Sequence, residues 1–254
     1  MTPAIAGTDR YRPACDTPVT RPVMLNRWES LTFLHWRYQP EVVQRLLPPG
    51  LTVDTFDGSA WVALVPFVLR WKLPGVPELP WVGQFAETNV RTYVRSADGS
   101  VGTYFFSLDT SRLAALIVAR SIYRLPYFWA RMNVDRVGST ISYDSRRSWP
   151  GPKGARCRVD IEIGRRFEPD ELGPLDHFLT ARWALFTAPS SALRRAPVFH
   201  DPWPLCHARV IRLDDELIAA AGLPAAEGPP RVHYAPAVDV RIGRPSLWDP
   251  PRGV

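Results

Sequence analysis

The sequence predicts an α+β protein that is mainly antiparallel β, with its strands in a barrel-like arrangement. Short runs of alternating apolar and polar residues recur along the chain, and a period of two is typical of half-buried strands. Asp-Gly pairs at residues 57–58 and 98–99 separate such runs, as they do in β-hairpins. Only a few runs have helical spacing, so the helices are expected to cover a protein built mostly of strands.

The N-terminal part begins with a segment that has no periodicity. Residues 1–23 are rich in Pro, Thr and small residues, which is typical of a flexible or surface-draped arm. Residues 31–38 then alternate as a strand, with Phe33, His35 and Arg37 on one face. A histidine beside aromatic residues is more often a hydrogen-bonded core residue than a catalyst.

A short helix and a hairpin are expected next. Pro40 suits the first position of a helix, and Pro-Pro-Gly at residues 48–50 ends it. Residues 51–56 and 61–71 are β-prone and are joined by Asp-Gly, so they are predicted to pair as a hairpin. Pro66 in the second run lacks a backbone N–H and indicates a bulge or a sheet edge.

The central feature of the chain is a strand with a polar stripe. Residues 85–94 alternate, and four polar side chains share one side: Glu87, Asn89, Arg91 and Tyr93. The stripe is either a solvated sheet face or the wall of a ligand pocket. Phe85 and Tyr93 bracket it, and aromatic walls around a few polar groups favour the pocket. The proline-rich loop at residues 73–82 suits the rim of such a pocket.

The second half of the chain adds more strands and three helices. A strand at residues 101–108 is expected to pair with the stripe through Asp-Gly, followed by a helix that ends at Pro126. Further strands are predicted at residues 129–135, 139–143, 156–163, 207–213 and 232–242. Further helices are predicted at residues 175–186 and 214–221.

Length favours one domain. A chain of 254 residues can bury a full core, so residues 24–243 are predicted to form a single domain. The arm at residues 1–23 precedes it, and a loose tail is expected at residues 244–254.

Composition limits the classes of binding partner that the protein is expected to have. The net charge is +6, but the basic residues are spread along the chain, which argues against a nucleic-acid partner. No run approaches the ~20 apolar residues of a membrane helix, and the N-terminus lacks the apolar core of a signal peptide. The three cysteines fit neither a disulfide framework nor a zinc knuckle. We therefore expect a cytoplasmic protein with a small-molecule ligand and no metal, cofactor or membrane partner, and we leave homo-oligomerisation open.

Several short motifs are spread over most of the chain. They are Leu-Thr-Phe-Leu-His-Trp at residues 31–36, Leu-Pro-Pro-Gly-Leu at 47–51, Asp-Thr-Phe-Asp-Gly at 54–58, Val-Pro-Phe at 65–67, Glu-Thr-Asn-Val-Arg-Thr-Tyr at 87–93, Leu-Pro-Tyr at 125–127, Phe-Leu-Thr-Ala-Arg-Trp at 178–183 and Pro-Trp-Pro-Leu at 202–205. Together they resemble the YqjF-like family, domain of unknown function 2071 (DUF2071). The resemblance implies an acetoacetate decarboxylase-like closed β-barrel with a few covering helices, a central pocket, and no established reaction.

The resemblance to the decarboxylase extends to its lysine segment, but the lysines are absent. That enzyme carries Gly-Arg-Glu-Ile-Trp-Gly-Phe-Pro-Lys-Lys, and the similar segment here, residues 119–128, ends in Tyr127 and Phe128. Lys72 and Lys153 are the only lysines in the chain. Without an amine at that place, decarboxylation through an iminium has no electron sink and is not expected.

Glu87 resembles the conserved pocket glutamate of the decarboxylase, which implies an acid/base role. Burial beside apolar walls would raise the pKa of this carboxyl, and a nearby arginine would lower it. The sequence leaves open which effect is larger.

Three hypotheses follow. The first is an enzyme acting by acid/base chemistry on a small oxo- or hydroxy-acid or a polyketide-like carbonyl compound. Its candidate catalytic residues are Glu87, Arg120 and Tyr127, and its candidate substrate-binding residues are Asn89, Arg91, Tyr93 and His35. The second is a binding protein that holds a metabolite in the same barrel without turnover. The third is that Glu87 and Arg91 merely pair on the sheet surface.

Overall fold

The structure is a computed structural model that describes residues 11–12, 14–77, 83–113, 125–151, 153–188 and 192–247. Strands dominate these ranges. They are β1 Met24–Tyr38, β2 Leu51–Val53, β3 Ala60–Lys72, β4 Gln84–Ser96, β5 Val101–Thr110, β6 Tyr127–Val137, β7 Thr140–Trp149, β8 Arg156–Arg166, β9 Ala184–Thr187, β10 Arg194–His200, β11 Cys206–Asp215, β12 Arg231–Ile242 and β13 Ser246–Leu247. The described helices are short: α1 Pro40–Gln44, α2 Pro174–Thr180 and α3 Leu217–Ala220, with a 3-10 turn at Pro169–Glu171.

Nine strands form a closed ring, in the order β1, β3, β4, β5, β6, β7, β8, β11, β12 and back to β1. Neighbours in the ring are antiparallel except β5 and β6, which are parallel. The ring is therefore a mixed β-barrel. The prediction of a mainly antiparallel closed barrel with few helices is confirmed.

A second closure crosses one side of the barrel. β9 pairs with β5, β10 pairs with β9, and β10 also pairs with β12. Gly102 permits the first of these pairings, because a Cβ there would lie 2.6 Å from the carbonyl oxygen of Ala184. We call β12, β1, β3, β4 and β5 the central sheet, since both closures share it.

The central sheet therefore has two covered faces. On the face beneath β9 and β10, which we call the cavity face, Val65 and Phe67 pack with Val198 of β10. On the opposite face, which we call the solid face, Leu64 and Val90 pack with strands β7 and β8. Alternation along β3 and β4 explains the division, because successive side chains point to opposite sides of a sheet.

A bulge in β1 brings more of that strand to the cavity face. The register between β1 and β3 shifts between Glu29 and Leu34, and Ser30 has a positive φ of 51°. An extra residue reverses the alternation, so that Trp28 and Leu31 both line the cavity. Pro66 of β3 lies opposite this shift, where it has no register partner on β1. The sequence predicted a bulge or a sheet edge at Pro66; the extra residue lies instead on the neighbouring strand β1, and Pro66 pairs in regular register with Thr88 of β4.

Several predicted elements differ from the structure. Residues 51–56 do not pair with β3: β2 pairs with β4, and the Asp-Gly pair closes only a bridge between Phe56 and Ser59. The helix predicted at residues 175–186 ends at Thr180, because the chain then enters β9. The helix predicted at residues 214–221 shrinks to α3, since β11 continues to Asp215. Most of the helix predicted before Pro126 lies outside the described residues.

Both ends of the described chain contact the barrel. Tyr11 donates a hydrogen bond of 2.7 Å to Asp54 and packs edge-on against Phe178 at 5.0 Å. At the other end, Ser246–Leu247 pairs with β10. None of the helices in the described ranges has the length and hydropathy to cross a membrane.

Candidate functional site

A cavity of about 110 Å³ lies on the cavity face of the central sheet, beneath β9 and β10. One buried water requires only ~10–15 Å³ by the same kind of measure, so the space suits a larger ligand. The wall is mostly apolar, with Trp28, Phe67, Trp71, Phe85, Phe105 and Trp203 as its apolar aromatic members. The polar members are Asn26, Glu87, Asn89, Arg91, Thr103, Tyr127, Thr180, Arg182 and His200.

Glu87 lies in this wall next to Tyr127. Strand β5 lies between β4 and β6, and the Tyr127 hydroxyl donates a hydrogen bond of 2.8 Å to Oε2 of Glu87. Burial raises the pKa of Glu87 to about 8, although the Tyr127 hydrogen bond opposes the rise. No cation lies within ion-pair distance of Glu87 among the described residues. Glu87 therefore holds its proton at neutral pH and can act as an acid.

Arg91 follows Glu87 and Asn89 along the same side of β4. Its side chain is buried, with its guanidinium 5.4 Å from the Phe33 ring and 6.0 Å from the Tyr93 ring. Its Nε has no hydrogen-bond partner, and no carboxylate of the described chain pairs with it. A buried cation without a counter-ion is costly unless a bound anion compensates it. The ion pair between Glu87 and Arg91, both of which are described, is not formed.

Arg182 brings a second guanidinium to the cavity from the segment between α2 and β9. Its Nε donates to the carbonyl of Phe178 at 2.9 Å, and its Nη1 donates to Asp54 at 2.7 Å. Burial opposes ionisation of Asp54, but Arg182 and Arg95 outweigh it and hold the pKa of that carboxyl below its usual value. Nη2 of Arg182 has no partner. Arg182 is thus fixed in place with one donor to spare.

His200 ends β10 and lines the cavity opposite the stripe. Its register partner on β12 is Val240, which in turn lies opposite Asn26 of β1. The ring packs beside Trp183 at 4.6 Å and Trp203 at 4.7 Å. Burial lowers the pKa of His200 to about 4, and the positive charge of Arg91 adds to the effect. His200 is therefore neutral at physiological pH.

Other polar atoms of the cavity wall are also unpaired. Asn26 Oδ1, Asn89 Oδ1 and Trp28 Nε1 are buried and have no protein partner. Together with the spare donors of Arg91 and Arg182, they could serve a ligand that carries both an anionic group and a hydrogen-bond donor.

The cavity brings together four of the seven predicted site residues: Glu87, Asn89, Arg91 and Tyr127. Arg120 lies outside the described residues. Tyr93 and His35 lie behind the wall, which differs from the expected contact with a ligand. The Tyr93 hydroxyl donates to the Leu179 carbonyl at 2.6 Å and accepts from Nε2 of His35 at 2.7 Å. This pair fills the barrel beyond Arg91, and burial lowers the pKa of His35.

The sequence analysis did not select Asn26, Arg182 or His200. Arg182 lies in one of the motifs that carried the family resemblance, and Trp203 lies in another, so these motifs were a usable signal. No sequence signal identified Asn26 or His200, because local periodicity does not predict the pairing of β10 with β12. Lys72 and Lys153 are both exposed and do not line the cavity. The described residues also contain no cluster of His, Cys, Asp and Glu that could hold a metal.

The closed nine-strand β-barrel belongs to the acetoacetate decarboxylase-like class of folds. The enduracididine biosynthesis enzyme MppR is similar, with a TM-score of 0.65 and 16% identity over 93% of this chain and 91% of that one. An acetoacetate decarboxylase-like enzyme from Sphingomonas wittichii RW1 has a TM-score of 0.64 and 15% identity, over 91% of this chain and 94% of that one.

Sequence comparison assigns the chain to a family within this class. The model of DUF2071, described as an uncharacterized conserved protein, matches residues 26–239. The uncharacterized protein YqjF of Bacillus subtilis (strain 168) is 33% identical over 228 residues, which cover 89% of this chain and 93% of that protein. The chain belongs to the DUF2071 family.

Proposed function

We propose that this protein is an enzyme that acts by acid/base chemistry on a small oxo-acid or a polyketide-like carbonyl compound, without a Schiff-base lysine. The observation that carries the proposal is the buried guanidinium of Arg91, which has no carboxylate partner in the described chain and shares a cavity with Glu87. An anionic substrate would supply the missing counter-ion. A structural neighbour, MppR, is described in complex with pyruvate, and this supports an oxo-acid as the first ligand to test.

In the proposed complex the substrate carboxylate binds Arg91, and Arg182 contributes a second donor through Nη2. Charge-assisted hydrogen bonds of this kind are short and strong. The same sequence resemblance suggests Arg120 as a further clamp. Asn89, which lies between Glu87 and Arg91 on β4, would accept a hydrogen bond from the substrate through its unpaired Oδ1.

Glu87 supplies the proton in this proposal. Its carboxyl is protonated at neutral pH, so it can donate to the carbonyl oxygen of the substrate as negative charge develops there. Tyr127 donates to the other carboxyl oxygen at 2.8 Å and keeps Glu87 oriented. Catalysis through an iminium is not proposed, because neither lysine of the chain lines the cavity.

A non-catalytic binding protein is the second candidate. The observation that favours it is the set of unpaired buried polar atoms, which would hold a ligand equally well without turnover. Native mass spectrometry of the purified protein would detect a tightly held co-purified ligand. We propose a small molecule as the partner in either case, in a cytoplasmic protein.

The test compares wild-type protein with Glu87→Gln, using pyruvate, acetoacetate and phenylpyruvate as probes. The amide keeps the shape of the carboxyl but cannot deliver its proton. We expect turnover or proton exchange of at least one probe to fall by about 100-fold or more, while its binding, measured by calorimetry, stays within threefold. Glu227→Gln, an exposed glutamate outside the cavity, is the matched control. Unchanged turnover in Glu87→Gln would remove the proposal.

A further inference from the structure

We infer that His200 is the base of this site, and that the reaction class is proton transfer at a carbon next to a carbonyl, as in keto–enol tautomerisation. This inference rests on the proposed function and assigns its reaction. The imidazole of His200 is oriented by a hydrogen bond to the backbone, lines the cavity and has charged neighbours.

The hydrogen bond determines which nitrogen carries the proton. Nδ1 of His200 lies 2.7 Å from the backbone carbonyl of Asp201, and a carbonyl oxygen can only accept. Nδ1 is therefore the protonated nitrogen. Nε2 of the neutral ring keeps its lone pair and makes no hydrogen bond with the described chain. The Asp201 carbonyl thus orients the ring. In catalytic sites with a nucleophile and a base, a third group orients the base in the same way.

The position of His200 places it in the lining of the same cavity as the proposed acid. His200 comes from β10 and Glu87 from β4, and both line one cavity although their strands belong to different parts of the barrel closure. The Trp183 and Trp203 rings, 4.6 and 4.7 Å away, pack against the imidazole at tilted angles and restrict its movement. A base and an acid that reach one ligand from different walls are the arrangement that enolisation requires.

The charged neighbours make the basicity of His200 depend on the substrate. Arg91 is one of the charges that lower the pKa of His200, and Asp201 opposes it. A carboxylate bound to Arg91 would neutralise that guanidinium and raise the pKa of His200 towards the neutral range, where a general base is most effective. Binding of the correct anion would therefore activate the base.

The proton transfers balance. Nε2 of His200 removes a proton from the carbon next to the carbonyl, and the electron pair of the broken C–H bond forms a C=C bond. The carbonyl oxygen becomes the enol oxygen and takes the proton of Glu87. The site then holds an imidazolium and a carboxylate, and the reverse transfers return a proton to carbon. In D2O the same cycle replaces C–H by C–D without net reaction, and no oxidant or metal is required.

The experiment follows exchange of the C3 protons of phenylpyruvate and pyruvate in D2O by proton NMR, with rates corrected for the protein-free reaction. We compare wild-type protein, His200→Gln and the control His207→Gln, which changes a histidine outside the cavity. We expect His200→Gln to lose about 100-fold or more in exchange rate while calorimetry shows probe binding within threefold. The control should match wild type.

The pH profile distinguishes a base at His200 from a merely structural role of this residue. Wild type should lose exchange activity at low pH as His200 takes a proton and at high pH as Glu87 loses one, and the low-pH limb should shift upward with the concentration of bound anion. If His200→Gln does not fold, His200→Asn serves as a second variant for the same measurement. Exchange within threefold of wild type in a folded variant would overturn the inference, as would a wild type that binds the probes but exchanges none. Failure of wild type to bind any probe would instead overturn the proposed function.

Discussion

Two carboxyl groups on neighbouring strands show how the two faces of the central sheet differ. Glu87 of β4 and Asp109 of β5 lie one register position apart, because Thr88 pairs with Asp109 and Glu87 pairs with Thr110. Asp109 receives two hydrogen bonds from Arg147, at 2.5 and 3.0 Å. Glu87, on the cavity face, is instead hydrogen-bonded to Tyr127. Burial raises the pKa of both carboxyls, but only Asp109 has a cation to oppose the rise.

The two buried arginines repeat the contrast. Arg147 is fully buried with a carboxylate partner and stacks on Phe128 at 3.7 Å, whereas Arg91 is buried with no carboxylate partner in the described chain. On the solid face, opposite charges meet within the protein. On the cavity face, Glu87 and Arg91 form no ion pair with each other or with another charged group of the described residues. The difference teaches that ion pairing within the protein stabilises the solid face, whereas the cavity face keeps the uncompensated polar groups on which the proposed chemistry depends.

The largest expected effect is on the solid face. Asp109→Asn removes the partner of Arg147 and leaves an uncompensated charge in a closed core, so we expect the free energy of unfolding to fall by about 3–5 kcal/mol. Urea denaturation monitored by tryptophan fluorescence measures it. Asp144→Asn, an exposed aspartate on β7, should change stability by less than ~0.5 kcal/mol. A loss below 1 kcal/mol for Asp109→Asn would contradict the view that the ion pair with Arg147 stabilises the solid face.

The second effect is the pH dependence of stability due to Glu87. In the unfolded chain this carboxyl loses its proton near the ordinary value of ~4.3, whereas in the folded protein it keeps its proton up to about pH 8. Between these values the folded state binds more protons, so stability is greatest below pH 4.3 and falls as pH rises to 8. Between pH 5 and pH 8 the loss is on the order of 4 kcal/mol.

Glu87→Gln removes this titration and provides the measurement. The stability difference between the variant and wild type should move in favour of the variant as the pH of the urea series rises from 5 to 9. Other titrating groups are common to both proteins and cancel in the difference. A difference that is constant over this range would show that Glu87 ionises normally.

The third effect is the change in the free energy of unfolding when a buried arginine is replaced, and we expect opposite signs on the two faces. Arg147→Met leaves Asp109 buried without its cation and should be destabilising. Arg91→Met, in contrast, removes a buried cation that has no carboxylate partner in the described chain. We expect Arg91→Met to increase the free energy of unfolding by about 1–2 kcal/mol and to weaken pyruvate binding at least tenfold, as measured by calorimetry. Arg131→Met, an exposed arginine of β6, should do neither. Destabilisation by Arg91→Met would mean that the protein already compensates this charge.

The smallest effect sharpens the account of Glu87. Tyr127→Phe removes the hydrogen bond to Oε2, which opposes the rise of the Glu87 pKa. A hydrogen bond to a charged group contributes about 1.5–3 kcal/mol, so the pKa of Glu87 should increase by about one to two units. The alkaline limb of the exchange profile reports it. Tyr104→Phe, a tyrosine outside the cavity, should leave that limb in place.

The sequence predicted the parts of the site that depend on local geometry. Alternation along β4 correctly grouped Glu87, Asn89 and Arg91, and the Asp-Gly turn correctly joined β4 to β5. Local geometry does not specify which strands meet when a barrel closes, so His200 of β10 was missed. It also does not reveal where a cavity ends. Tyr93 belongs to the same stripe, but the Leu179 carbonyl and His35 hold its hydroxyl behind the wall.

The central claim is that Glu87 is a protonated acid at neutral pH because it is buried and no cation of the described residues lies within ion-pair distance of it. Infrared difference spectroscopy of wild type against Glu87→Gln tests it directly, since a protonated carboxyl and a carboxylate absorb at separate frequencies. The account predicts a protonated-carboxyl band at pH 7 that is absent from the variant and that titrates near pH 8. A carboxylate band at pH 7 that is lost only near pH 4, the ordinary range of ~4.3 for glutamate, would contradict it.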